Sequence, residues 1–145
     1  MAIVQTPCTS FKLELGQAIH NFDAVGGDTF KIALYYSTAT LNASTTVYTS
    51  AGEVVGTGYS AGGLALVNVA PSTSSGKALF SFVSPATFTG VTLTCRGGLI
   101  YNSTKANRAV CVLDFGEDFT ALGQNINITF PSVAPTSAIL RIALS

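Results

Sequence analysis

The sequence predicts an all-β protein: an antiparallel β-sandwich, jelly-roll-like, with about eight strands and one short N-terminal helix. Three observations predict it. Residues 91–116, VTLTCRGGLIYNSTKANRAVCVLDFG, read as two apolar arms, 91–101 and 109–115, around a polar segment at 102–108 that is rich in turn formers. The second arm is apolar at nearly every residue, and such a strand is buried on both faces. Elsewhere, short apolar or alternating runs recur between clusters of Gly, Pro, Ser and Asn, as in sandwiches and jelly rolls. Only one segment has a helical period, which excludes alternating strand–helix units.

Taken in order, residues 1–9 form an N-terminal arm containing Pro7, and residues 10–145 form a single sandwich domain. The apolar start, with Ile3 and Val4, has no partner strand nearby in sequence, so it is expected to dock on its own sheet or on a neighbour. Ser10 opens the helix as its cap, and Phe11, Leu15, Ala18, Ile19 and Phe22 fall on one face. Leu13 departs from that face, and Gly16 weakens the helix by about 1 kcal/mol relative to Ala. Residues 23–28 turn. Residues 29–36 alternate, with Phe30, Ile32, Leu34 and Tyr36 opposite Lys31, Ala33 and Tyr35, which predicts a half-buried strand.

Residues 37–49 connect. Residues 53–63, EVVGTGYSAGG, read as a glycine-rich loop or bulged edge. A strand at 64–69, a loop at 71–76 and a strand at 77–84 precede the central hairpin. Residues 117–123 then read as a turn carrying Glu117, with Asp118 beside it. Residues 125–130 alternate as a further strand, 131–135 turn, and 138–144 form the last strand.

Hydrophobic residues make up 48% of the 145 and charged residues only 10%, against about 25% in ordinary chains. The deficit falls on the surface, which must be Ser, Thr, Asn, Gly and apolar residues, as expected of a protein partly covered by partners. Net charge is zero, without the basic footprint of a nucleic-acid binder. Lys105 and Arg108 read as solvated residues of a loop tip. No apolar run suffices for a signal peptide or a membrane span, so neither secretion nor membrane attachment is expected. Cys8, Cys95 and Cys111 read as small core residues; Cys95 and Cys111, on opposite arms of the hairpin, are possible neighbours. Nothing has the spacing of a zinc site, and no cofactor is expected.

Several motifs admit a chemical reading. Residues 58–62, GYSAG, match the GxSxG of a hydrolase nucleophile, and His20 with Asp23 or Asp28 would complete a triad with Ser60. The segment after Ser60 is too β-like for the helix that elbow requires, so a glycine-rich loop is expected. Asp114, Glu117 and Asp118 cluster after the hairpin, where acids usually belong to turns rather than to a carboxylate pair in a cleft. His20 is expected to hydrogen-bond a neighbour. Asn42, Asn102 and Asn127 head glycosylation sequons that have no meaning without secretion. Arg96 and Arg141 each lie inside an apolar strand and are expected on an edge or a partner face, where a guanidinium suits an interface carboxylate. With Ile3 and Val4 they are the candidate partner contacts. No catalytic residue is expected, and the chain is not read as an enzyme.

Segments along nearly the whole chain resemble a family of tailed-bacteriophage structural proteins. They are Phe11-Lys-Leu-Glu-Leu with His20-Asn-Phe, Asp28-Thr-Phe-Lys-Ile-Ala-Leu-Tyr, the 53–63 stretch, Arg96-Gly-Gly-Leu-Ile-Tyr-Asn with Lys105-Ala-Asn-Arg-Ala-Val, Leu113-Asp-Phe-Gly, and Ile139-Leu-Arg-Ile-Ala. The chain is also similar to capsid cement, or decoration, proteins of jelly-roll-like fold. The resemblance implies a protein on the capsid exterior of a virion, assembled in the host cytoplasm. It would bind the major capsid protein at contacts between subunits. Self-association as a homodimer is expected because two-fold contacts are the commonest. The alternative is a tail or fibre module that binds host glycans on exposed aromatic platforms, for which Tyr35, Tyr36, Tyr48, Tyr59 and Tyr101 are available, with Tyr35 and Tyr101 expected to pack on strands.

Overall fold

A computed structural model describes residues 2–131 and 138–142. It is an all-β sandwich of two antiparallel sheets with one short helix. The chain runs β1 (Thr6–Pro7), α1 (Thr9–Gly16), β2 (Phe30–Tyr35), β3 (Leu64–Ala65), β4 (Asn68–Ser74), β5 (Lys77–Phe82), β6 (Ala86–Asn102), β7 (Arg108–Ile128) and β8 (Leu140–Ile142). The larger sheet has the order β1-β7-β6-β2-β3 and the smaller β4-β5-β8.

The β6–β7 hairpin is the spine. Its turn falls at the polar segment, between Asn102 and Arg108, as expected, but its arms are far longer than the apolar pattern indicates. Pairing continues from Asn102↔Arg108 to Ala86↔Ile128. The expected turn at residues 117–123 and separate strand at 125–130 are thus mostly one continuous strand. The turn-like composition marks a pair of bulges instead. Gly97 opposes Asp114 and Cys95 opposes Phe119, so residues 115–118 stand against Arg96 alone. Further on, Thr92 opposes Leu122 and Val91 opposes Gln124, leaving Gly123 unpaired. Gly116 and Gly123 have φ of +86° and +70°, a left-handed backbone that serves a bulge as well as a turn.

β2 pairs with β6 from Phe30↔Asn102 to Tyr35↔Gly97. It is not half-buried: Phe30 and every residue from Ile32 to Tyr35 are buried. One face meets an aromatic cluster that joins the two sheets, in which Phe30 lies 4.4 Å from Phe22 and 5.6 Å from Phe82, ring centre to ring centre. Phe82 in turn lies 5.6 Å from Phe130. The other face is covered by the connection that carries Tyr48, whose ring stacks on Tyr101 at 4.8 Å. Tyr36, expected on the inner face, is half-buried beyond the strand end.

The helix is shorter than predicted. It ends at Gly16, and Ala18, Ile19 and Phe22 lie beyond it. Cys8, not Ser10, is the N-cap, and no side chain caps it. The reason is tertiary. The Cys8 N–H donates to the Val110 carbonyl at 2.9 Å, which fixes where the chain leaves the sheet and starts to coil. The arm, described from residue 2, docks on its own chain: Ile3 bridges Leu41 in parallel, and Thr6 and Pro7 pair with Val112 and Cys111.

The expected loop at 71–76 is mainly strand. β4 runs through Pro71 as an edge strand, with an irregularity between Val69 and Ser72 that accommodates the proline. The predicted strand at 64–69 splits into β3 and the start of β4. The last strand is described over Leu140–Ile142, paired with β5; the predicted residues 143–144, and 132–135 of the preceding turn, lie outside the described residues. All three cysteines are buried free thiols, as core residues should be. Cys95 opposes Phe119 and Cys111 opposes Ile100, so the two are not cross-strand partners.

Candidate functional site

Two buried polar clusters and one apolar groove are the features that hold chemistry. The first cluster is built on Glu53, which is 7% exposed. Its carboxylate accepts from the Tyr48 hydroxyl, from the Tyr59 hydroxyl at 2.7 Å and from the Gly62 N–H at 2.7 Å. The Tyr59 oxygen also accepts from the Leu34 N–H at 2.9 Å, and the Tyr101 hydroxyl donates to the Gly62 carbonyl at 2.6 Å. The GYSAG stretch is thus a tight turn that delivers Tyr59 and Gly62 to Glu53. It packs so closely on β2 that a Cβ at Gly63 would sit 1.8 Å from the Ile32 oxygen. Burial, with the Glu53 carboxylate nearby, holds the hydroxyls of Tyr35, Tyr59 and Tyr101 above the ordinary tyrosine range and pushes Tyr48 up to about 12.

The second cluster joins α1 to the hairpin turn. His20, its side chain fully buried, lies 3.0 Å from Glu14 Oε1 through Nε2 and 3.0 Å from Asn102 Nδ2 through Nδ1. Asn102 Oδ1 accepts from the N–H groups of Thr104 and Lys105, at 3.1 and 3.2 Å. That fixes the amide orientation, so Nδ2 donates both to His20 Nδ1 and to Asp28 Oδ2, the latter at 2.8 Å. His20 Nδ1 is therefore an acceptor, and Nε2 carries the proton that goes to Glu14. Arg108 pairs with the other Glu14 oxygen, and Lys105 Nζ lies 3.9 Å from Asp28. Both cations are solvated at the loop tip, as expected, with side chains 43% and 42% exposed, and each also reaches a buried acid. Both His20 nitrogens are engaged within this cluster, and Ser60 is on an exposed turn with neither as its partner.

The groove has a volume of about 610 Å³ and opens between the β1–β7 margin and the segment entering β8. Phe115, Phe119, Ile126, Phe130 and Leu140 line it, with Arg141 at its rim. Of the candidate partner contacts, Ile3 is 8% exposed and belongs to the chain's own core, whereas Val4 is 51% exposed. Arg96 Nε donates to Asp114 at 2.9 Å on the surface, inside the bulge that also carries Glu117 and Asp118. That guanidinium beside Asp114, aided by the Gly116 N–H, holds the carboxyl below the usual range. Arg141 is exposed on β8. The four candidates do not converge on one site.

Burial burdens the glycan reading. Tyr35 and Tyr101 are buried, as expected of strand residues, and the hydroxyls of Tyr48 and Tyr59 are committed to Glu53. Of the sequons, Asn102 is fully buried and Asn127 bonds Thr87 on the ribbon at 2.7 Å. Among the described residues no cluster of His, Cys, Asp and Glu is arranged to hold a metal ion, and no helix is long and apolar enough to cross a membrane. Compared with known protein families, with curated proteins and with solved structures, the chain matches none.

Sequence reasoning missed Glu14 and Glu53. Each is a lone acid beside apolar residues, and its partners arrive from elsewhere: Arg108 from 94 residues away, and Tyr48, Tyr59 and Gly62 through a loop whose shape glycines set. The available signal was the placement of an acid directly before the Val-Val-Gly run at 54–56.

Proposed function

We propose that the protein is a virion structural protein that binds the outside of a bacteriophage capsid, at contacts between major capsid protein subunits, and cements the shell. The observation that carries this reading is the outer half of the β6–β7 ribbon. It projects beyond β2 and presents an almost uncharged surface of Thr and Asn: Thr94 and Thr120 share a hydrogen bond at 2.9 Å, Thr87 bonds Asn127, and Asn125 accepts from the Gly90 N–H at 2.9 Å. Leu122 and Phe119, 75% and 46% exposed, stand on the same ribbon. An uncharged polar surface with isolated apolar residues costs little to desolvate and suits a partner-covered face. Many copies on one shell make a modest individual contact sufficient, because bound copies act together. The resemblance of the sequence to phage cement proteins points the same way. The competing tail or fibre reading needs exposed aromatic platforms, and the fold uses most of its tyrosines internally.

The test is co-sedimentation of purified protein with expanded, cement-free capsids of the cognate phage. The expected result is saturable pelleting at a fixed ratio to the major capsid protein. Protein that stays in the supernatant while the capsids pellet would overturn the reading.

A further inference from the structure

The outer edge of β7, the side away from β6, is occupied only at its start. β1 covers Cys111 and Val112, the Gln5 side chain accepts from the Asp114 N–H at 3.1 Å, and the Asp114 carboxylate takes the Gly116 N–H at 2.9 Å. Among the described residues no strand pairs with this edge from residue 117 onward. Proteins usually protect such an edge with lysine, proline or other charges, because its unpaired N–H and C=O groups template another strand. Residues 119–128, FTALGQNINI, hold no proline and no charged side chain. Their pairing with β6 is interrupted twice, at Gly123 and where Thr89 and Gly90 stand against Asn125. Leu122 stands 75% exposed in the middle of this stretch, and the groove lined by Phe119 and Ile126 runs beside it.

We propose that this edge pairs antiparallel with the same edge of a second copy, making a two-fold dimer with one continuous sheet. Antiparallel pairing of one edge with its own image is self-complementary and closes at two chains. The charge pattern permits it. A register centred on Leu122 sets Leu122 against its own copy, Ala121 against Gly123 and Phe119 against Asn125. Asp118 and Glu117 fall in the bulge beyond this pairing, on the side of Ile126 and Asn127, so no acid faces an acid across the axis. The uncharged stretch contains nothing that selects a partner of opposite charge. On this register residues 119–125 pair with their own copy over about 23 Å and form up to about seven main-chain hydrogen bonds, within the range a standard interface carries. The inference rests on the edge itself and not on capsid binding.

The experiment is sedimentation equilibrium of the full chain, without capsids, over a concentration series. The expected mass is twice the chain mass of 14.9 kDa. Leu122→Lys should return it to the single-chain value with an unchanged circular dichroism spectrum and a thermal midpoint that no longer depends on protein concentration, since the side chain is exposed and two ammonium groups would meet at the axis. Leu122→Cys should form an intermolecular disulfide on mild oxidation, because facing strand residues lie within disulfide reach and the native thiols are buried. A wild-type chain that sediments as a monomer, a Leu122→Lys variant that stays dimeric, or a dimer that Leu122→Cys fails to cross-link would each overturn the proposal. A monomer that still pellets with capsids would overturn it while leaving the cement reading intact.

Discussion

Replacing Glu53 by alanine should unfold the region around residues 48–63 more readily than any other single truncation of a polar side chain. The carboxylate accepts three hydrogen bonds, and two of its donors, the Gly62 N–H and the Tyr59 hydroxyl, have little access to water. Hydrogen bonds to a charged group contribute about 1.5–3 kcal/mol each, and a buried donor left unpaired costs about 1–3 kcal/mol. Tyr48 is near enough to solvent to find water, so the loss comes mainly from the other two, about 3–5 kcal/mol in all. At a urea m-value near 1.5 kcal/mol/M, a loss of about 4 kcal/mol lowers the unfolding midpoint by roughly 2–3 M. Glu53→Gln keeps one acceptor but turns an amide N–H₂ toward donors, and should fall between the two. The assay is urea unfolding followed by tyrosine fluorescence and circular dichroism. A midpoint for Glu53→Ala within experimental error of wild type would refute the claim that this carboxylate anchors the loop. Tyr59→Phe made in the Glu53→Ala background should cost less than in wild type, because the two side chains share one bond.

Three further outcomes are expected. The thiols should be silent toward a water-soluble disulfide reagent at pH 8 and should all react once the chain is unfolded, because burial pushes Cys8 and Cys95 up to about 11 and Cys111 higher still. The fold should be alkali-labile. Tyr48 ionises at about 12 when folded against an ordinary 10.0, so its contribution is complete below pH 10 and is lost as pH rises from there through 12; tyrosinate absorbance should then appear together with loss of circular dichroism. His20 should show the Nε2–H tautomer in ¹⁵N correlation spectra at neutral pH, and an Nδ1–H signal would contradict the orientation assigned to Asn102.

The fold class is readable because it depends on local pattern: the turn at 102–108, the apolar run at 109–112 and the alternation through Phe30, Ile32 and Leu34 all report the elements they build. The features that local pattern misplaces depend on pairing over distance. Gly116, Glu117, Asp118 and Gly123 break alternation in the same way whether a strand ends or bulges, and only the opposite strand decides between them. Residues 29–36 look half-buried because Lys31 and Tyr35 are polar, yet a distant connection covers that face. The helical face at Phe11 continues in sequence to Phe22, but the sheet fixes the helix start at Cys8, and the chain turns away after Gly16. The polar clusters are the least visible part, since burial of Glu14 and Glu53 depends on partners that only the completed fold brings in.

The long hairpin also sets an order of events for the folding chain. Its contacts close outward from a five-residue turn, each new rung adding little loop entropy to the one before. By contrast, β2 must find β6 across some 60 or more residues, and β1 must find β7 across about 100. The ribbon can therefore form before its neighbours and offer them a template, with the N-terminal arm docking last. A chain emerging from the ribosome can close β4 on β5 across a two-residue turn, but β1 and β2 lack their β7 and β6 partners until the spine is made, so the hairpin turn helps set how long the aromatic cluster around Phe22 and Phe30 stays exposed.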